Sequence, residues 1–150
     1  MNNSKFQMRH FVSTLLQRHS VSGRFFRFGI IGLSGIFVNS SILWFLHHRL
    51  GFPLWLSPIF AILGAIFYNF NLNNFFTWND ATYSRKFNYT NRLWRYYLSA
   101  ALGAILNYII LIGLTNVVHM HYLYANIIGI LAGTLSNFIL SDRWVFKKQE

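Results

Sequence analysis

Charge is what this sequence has least of. Only 11% of its 150 residues are Asp, Glu, Lys or Arg, against about 25% in soluble domains, so a water-facing surface cannot be covered. The carboxylates are three, Asp80, Asp142 and Glu150. They offer no acid pair, no metal cluster and no base beside a nucleophile, so the chain is expected not to be an enzyme. Cysteine is absent, which excludes disulfides and thiolate metal sites. His47 with His48, and His119 with His121, lack a third ligand and are expected as interfacial residues; no metal and no cofactor are expected.

What remains is apolar and runs long. The hydrophobic set makes up 54% of the chain, and no charged residue lies between Arg27 and Arg49, Arg49 and Asp80, or Arg95 and Asp142. A helix rising ~1.5 Å per residue crosses the ~30 Å hydrocarbon layer in about 20 apolar residues. Each of the first two gaps holds one such stretch, while the third holds two, divided by His119-Met120-His121. The pattern predicts an all-α membrane fold with four transmembrane helices, over Phe28–Leu46, Trp55–Leu72, Tyr96–Val118 and Tyr122–Leu140. The first 23 residues have no continuous apolar core, so no cleavable signal peptide is expected. Instead Met8, Phe11, Val12 and Leu15 fall at helical spacing and predict an amphipathic helix, Lys5–Arg18, lying in the interface.

A net charge of +10 invites a nucleic-acid reading, but its distribution argues for membrane orientation. The N-terminal tail, the segment from Asn73 to Arg95 and the C-terminal tail hold 12 of the 13 Lys and Arg residues, and Arg49 alone lies elsewhere. Basic flanks are retained on the cytoplasmic side during insertion, which sets both termini in the cytoplasm and makes nucleic acid no expected partner. Trp44, Trp55, Trp78, Trp94 and Trp144 near the span ends are expected as an aromatic belt.

Sliding the chain by 68 positions aligns Arg24–Trp78 with Arg92–Phe146 without a gap, and 13 of the 55 positions are identical. Arg24 meets Arg92, Arg27 meets Arg95, Gly35 meets Gly103, Asn39 meets Asn107 and Asn69 meets Asn137. Apolar matches are cheap between membrane spans, whereas paired Arg, Gly and Asn in one register are not. The expected organisation is a single membrane domain over 1–150: a cytoplasmic or interfacial segment 1–23, repeat 1 at 24–78, a polar cytoplasmic linker at 79–91 and repeat 2 at 92–146. Two spans per repeat return the chain to its starting side, so the copies are expected to share one orientation.

Three residue sets stand out. Ala61, Ala65, Asn69 and Gly129, Gly133, Asn137 recur every fourth position, as do Gly35–Asn39 and Gly103–Asn107, and such small stripes let helices pack closely in lipid. Asn39 and Asn107 each lie twelve residues beyond an Arg, ~18 Å deep at helical rise. Asn39, Asn69, Asn107 and Asn137 are then either interhelical glue, at about 1 kcal/mol each, or a polar track for a hydrophilic headgroup. Arg24, Arg27, Arg92, Arg95 and Arg143 should ring the cytoplasmic ends, either orienting the chain or binding lipid phosphate through their bidentate forks. No intramembrane acid is present to couple protons, which separates the chain from the small multidrug exporters it matches in size.

These residues carry a family resemblance. Arg24-Phe25-Phe26-Arg27-Phe28-Gly29-Ile30-Ile31-Gly32 opens the first span. Asn69-Phe70-Asn71-Leu72-Asn73-Asn74-Phe75-Phe76-Thr77-Trp78 and Asn137-Phe138-Ile139-Leu140-Ser141-Asp142-Arg143-Trp144-Val145-Phe146 close the second and fourth. With them the chain resembles the GtrA-like family of small four-helix membrane proteins over nearly all of Arg24–Lys148. The family's usual basic position is Asn74 in one copy and Asp142 in the other, so Arg143, one residue on, is expected to take over. The resemblance implies a multi-pass protein of the bacterial cytoplasmic membrane that flips a polyprenyl-phosphate sugar lipid for cell-surface polysaccharide biosynthesis. Its implied partners are that lipid and a membrane glycosyltransferase, which a non-transporting partner would instead anchor or stabilise. A homo-oligomer is left open.

Overall fold

A computed structural model of the chain describes residues 20–79 and 86–147. The amphipathic helix expected at Lys5–Arg18, and Asp80, Thr82, Ser84 and Arg85 of the linker, lie outside the described residues. The chain divides into two compact units, Met1–Tyr83 and Ser84–Glu150. Every element among the described residues is helical.

The first unit is a hairpin of α1 (Val21–Trp44), which continues as a wider π-helical turn over Phe45–Arg49, and α2 (Ser57–Leu72), which continues likewise over Asn73–Thr77. The second pairs α3 (Tyr89–Asn116) with α4 (Tyr122–Leu140), the latter closing in a π-helical turn over Ser141–Val145. With their wide turns these make four helices long and apolar enough to cross a membrane.

Two of the spans begin seven residues earlier than the charge-free gaps predict, at Val21 and Tyr89. Local capping decides this. The Ser20 hydroxyl accepts from the Gly23 amide at 3.0 Å, and the Asn88 side chain accepts from that of Asn91 at 2.9 Å; each satisfies an otherwise orphaned donor of the first turn. Arg24, Arg27, Arg92 and Arg95 therefore sit inside their helices. The second and fourth spans run past Leu72 and Leu140 because a five-residue turn follows in each, closed by Trp78 N–H to Asn73 O at 3.0 Å and Phe146 N–H to Ser141 O at 2.9 Å.

These turns explain the span-closing motif. The extra residue per turn buries Asn73 and Thr77 in one hairpin and Ser141 and Val145 in the other, all at 0% exposure. Thr77 Oγ1 donates to Asn73 Oδ1 at 2.7 Å across the first. The terminal aromatic of each motif then folds back on the opening helix: Trp78 meets Phe28 edge-on at 6.0 Å, and Phe146 meets Tyr96 at 6.3 Å. Trp78 is thus a core residue, 3% exposed, and leaves the expected aromatic belt, whereas Trp44, Trp55 and Trp94 are exposed.

The two connecting loops have one geometry at the same offset of 68. Phe52 N–H donates to Leu46 O and Met120 N–H to Leu114 O, both at 3.0 Å. Gly51 (φ 69°) and His119 (φ 56°) hold the left-handed conformation at aligned positions. Pro53 O and His121 O each accept from the first turn of the next helix.

Candidate functional site

Within each hairpin the seam is built from the small residues and the amides. In the first, a Cβ placed on Gly35 would collide with the Asn69 side chain, and one on Gly64 would lie 2.7 Å from the tip of Ile42. Ala61 and Ala65 complete the buried stripe. The second is closer. A Cβ on Gly103 would lie 2.7 Å from the carbonyl oxygen of Gly133, a Cβ on Gly133 would strike the carbonyl of Gly103, and one on Gly129 would strike Asn107. The backbones of α3 and α4 touch here because neither glycine carries a side chain.

The four amides are not equivalent. Asn137 Oδ1 accepts from the Ser99 hydroxyl at 2.7 Å and from Ser141 at 3.5 Å, while Ser99 also reaches the Asn137 carbonyl at 3.2 Å. The amide oxygens of Asn39, Asn69 and Asn107 are buried and have no hydrogen-bond partner among the described residues. An unmatched polar atom at bilayer depth costs free energy that water cannot relieve. In the second hairpin the seam opens laterally into a groove of about 190 Å³, walled by Gly103, Ala104, Asn107, Gly133, Thr134 and Asn137 among others. Amide and hydroxyl groups at one wall of an otherwise apolar slot can hydrogen-bond a polyol.

Arg24 and Arg92 occupy the first turns of α1 and α3, and Arg27 and Arg95 follow one turn on. Arg24 and Arg27 are half-buried. Arg92 is buried, with Nε donating to Asn88 O at 3.4 Å. Arg95 is held among rings: its guanidinium carbon lies 3.5 Å from the Phe87 centroid, 5.1 Å from Trp144 and 5.7 Å from Trp94, and Nη1 donates to the Trp144 carbonyl at 3.3 Å. Its Nε is buried without a hydrogen-bond partner among the described residues. Arg143, on the closing turn of α4, is exposed. Asn74 is buried and Asp142 half-buried. In the second unit, Arg95 thus meets the motif at Trp144, the residue after Arg143.

The histidines serve the loops. His47 Nδ1 donates to Phe52 O at 2.9 Å, and His121 Nδ1 accepts from the Leu123 amide at 3.4 Å. Sequence reading missed Ser99, Thr134 and the Phe87–Arg95 contact. Ser99 had a signal, since Ser99, Gly103 and Asn107 continue the every-fourth-residue stripe by one turn. Phe87, placed by a loop residue's backbone path, had none.

A family model described as GtrA/DPMS, transmembrane domain, matches residues 27–150. A protein of Pyrococcus furiosus named dolichol-phosphate mannosyltransferase is 34% identical to the chain over 124 residues, covering 83% of the chain and 34% of that relative. The chain thus spans about a third of the length of the curated relative it matches.

Proposed function

The chain belongs to the GtrA/DPMS transmembrane-domain family, and from that premise we propose that it moves a polyprenyl-phosphate-linked sugar across the cytoplasmic membrane. One observation carries this reading: the buried, unmatched amide oxygens of Asn39, Asn69 and Asn107, in spans otherwise apolar. A sugar passing along these seams supplies the hydroxyl donors that the protein does not, and the groove beside Asn107 and Asn137 gives it lateral access while the prenyl tail stays in lipid. Arg24, Arg27, Arg92, Arg95 and Arg143 gather the phosphate at the cytoplasmic ends. The unmatched Nε of Arg95 is one donor available to it. With no carboxylate between Arg95 and Asp142 or in the other spans, no proton is coupled, and the gradient of newly made lipid drives net movement.

The test is reconstitution in liposomes with a polyprenyl-phosphate sugar, scored by the leaflet reached. Replacing Asn39 and Asn107 together by Leu leaves the hairpins folded and blocks transport. A folded double variant that delivers sugar to the outer leaflet at the normal rate rules out the polar track. Replacing a phosphate-binding Arg by Gln weakens binding of the lipid by ~1 to 3 kcal/mol, and by nearly nothing if that Arg only orients the chain. Orientation has its own check. Cysteine introduced at Leu50 or Met120 labels from outside with an impermeant reagent, and cysteine at Lys86 does not; the opposite pattern inverts the topology.

A second reading has its own support in the mannosyltransferase relative, of which this chain matches only a third. On that reading the hairpins anchor or stabilise a membrane glycosyltransferase without transporting. Co-purification with such an enzyme that survives replacement of Asn39 and Asn107, without any leaflet exchange, favours it.

A further inference from the structure

Resting on the translocation reading, we propose a second anion site at the loop end of the first hairpin, formed by Trp44, His48 and Arg49, which receives the phosphate of the lipid-linked sugar in the far leaflet. The guanidinium carbon of Arg49 lies 5.5 Å from the Trp44 ring centroid, and the His48 ring stacks on the same side chain at 5.6 Å with planes 25° apart. All three side chains are exposed. A guanidinium beside an aromatic ring gains cation–π attraction and keeps N–H groups for two oxygens of one phosphate. The His48 ring adds an N–H donor.

The wide turn Phe45–Arg49 makes this arrangement, since five residues in one turn bring His48 and Arg49 back over Trp44. Leu50 N–H to Phe45 O at 3.2 Å, Phe52 N–H to Leu46 O at 3.0 Å and His47 to Phe52 O fix its exit. Wide turns of this kind gather at functional sites.

The second hairpin is an internal control. Its loop closes with the same Met120-to-Leu114 hydrogen bond and the same left-handed residue, yet the aligned positions are Ile112, Asn116 and Val117. Folding this loop therefore does not require an aromatic and cationic cluster. Orientation does not require it either, because Arg49 opposes the charge bias set by the other 12 basic residues. Its position fits a ligand that changes leaflet. Arg27 and Arg49 bound one helix and lie about 33 Å apart at helical rise, close to the ~30 Å hydrocarbon thickness, so the two cationic ends match the two headgroup layers.

The chemistry recognised is a phosphate ester oxyanion, which a prenyl phosphate, an anionic phospholipid or free phosphate could present. Because the chain has no cysteine, one introduced at Leu50 carries an environment-sensitive fluorophore beside the cluster. The labelled full chain in neutral detergent is titrated with farnesyl phosphate, inorganic phosphate, phosphatidylglycerol and uncharged farnesol. Farnesyl phosphate gives a saturable response whose Kd rises about tenfold in Arg49→Gln and is raised in Trp44→Ala; farnesol gives none. A response shared with inorganic phosphate identifies the bare group as sufficient, and one shared only with phosphatidylglycerol places the source in lipid headgroups. Unchanged affinity in both variants, or a farnesol response equal to that of farnesyl phosphate, overturns the site. Binding at the label needs no movement between leaflets. A chain that binds farnesyl phosphate here, loses that binding in Arg49→Gln and does not translocate sinks the transport reading and keeps the site, and intact translocation without binding here does the reverse.

Discussion

In the first hairpin a glycine, Gly35, faces an amide, Asn69, and the stripe beside them is Ala61 and Ala65; in the second, Gly103 and Gly133 press backbone against backbone, and Asn107 lies on Gly129. The same plan is thus closed by side chain in one copy and by main chain in the other. The amides diverge accordingly. Ser99 and Ser141 bind Asn137, but the aligned residues in the first hairpin are Ile31 and Asn73, and Asn69 keeps an unmatched oxygen. Two copies that share their Arg, Gly and Asn positions in one register therefore carry different structural demands at those positions.

The largest expected effect tests the closeness of the second seam. Gly133→Leu should unfold that hairpin, and even Gly133→Ala should cost about 1 to 3 kcal/mol, because the new carbon meets the backbone of Gly103 and cannot be turned aside. Ala65→Gly at the aligned position should change thermal stability in detergent by less than half as much. Equal melting temperatures for Gly133→Ala and the unmodified chain would erase the distinction between the seams.

The comparison of amides predicts a smaller difference. Asn137→Leu should destabilise the second hairpin by about 1 kcal/mol, since Ser99 loses the better of its two acceptors. Asn69→Leu should be neutral or stabilising, because it removes a buried oxygen that bonds nothing. A double-mutant cycle with Ser99→Ala measures the coupling directly; none at Asn137 would show that hydrogen bond to be idle.

The smallest effect lies in the loops. At Gly51 an added Cβ forces a side chain into the left-handed region, so Gly51→Ala should lose roughly 1 kcal/mol. His119 already bears that strain at the aligned position, so His119→Gly should move stability by only a few tenths of a kcal/mol, the relief of strain being offset by the freer unfolded chain. Chemical denaturation of the two variants against the parent separates the cases.

How much of this was legible follows from where each signal resides. The four spans were readable because charge is excluded from hydrocarbon, and the seams because Gly35, Gly103, Gly129 and Gly133 recur at helical spacing. The early starts at Val21 and Tyr89 were not, since the caps Ser20 and Asn88 are ordinary polar residues whose role is set by backbone direction. The wide turns were hidden for a similar reason: Asn73, Thr77, Ser141 and Val145 read as a polar or mixed span end, and only the five-residue geometry buries them. The unequal hydrogen bonding of four identical amides depends on Ser99 and Ser141, residues that a matching register does not single out. Nor did one Trp differ from the rest in sequence, although Trp78 is core and Trp55 is exposed.

The capped first turns carry a last consequence. An Arg follows each cap four residues on, at Arg24 and Arg92, and another comes a turn later, while neither first turn contains an acid. The positive pole of a helix dipole, worth about half an elementary charge, is thus stacked with two full positive charges. In anionic vesicles these turns should hold firmer than in neutral ones, and added salt should shrink the difference. The composition of the membrane then acts on this chain as a stabilising ligand would, tightening both hairpins where they enter it.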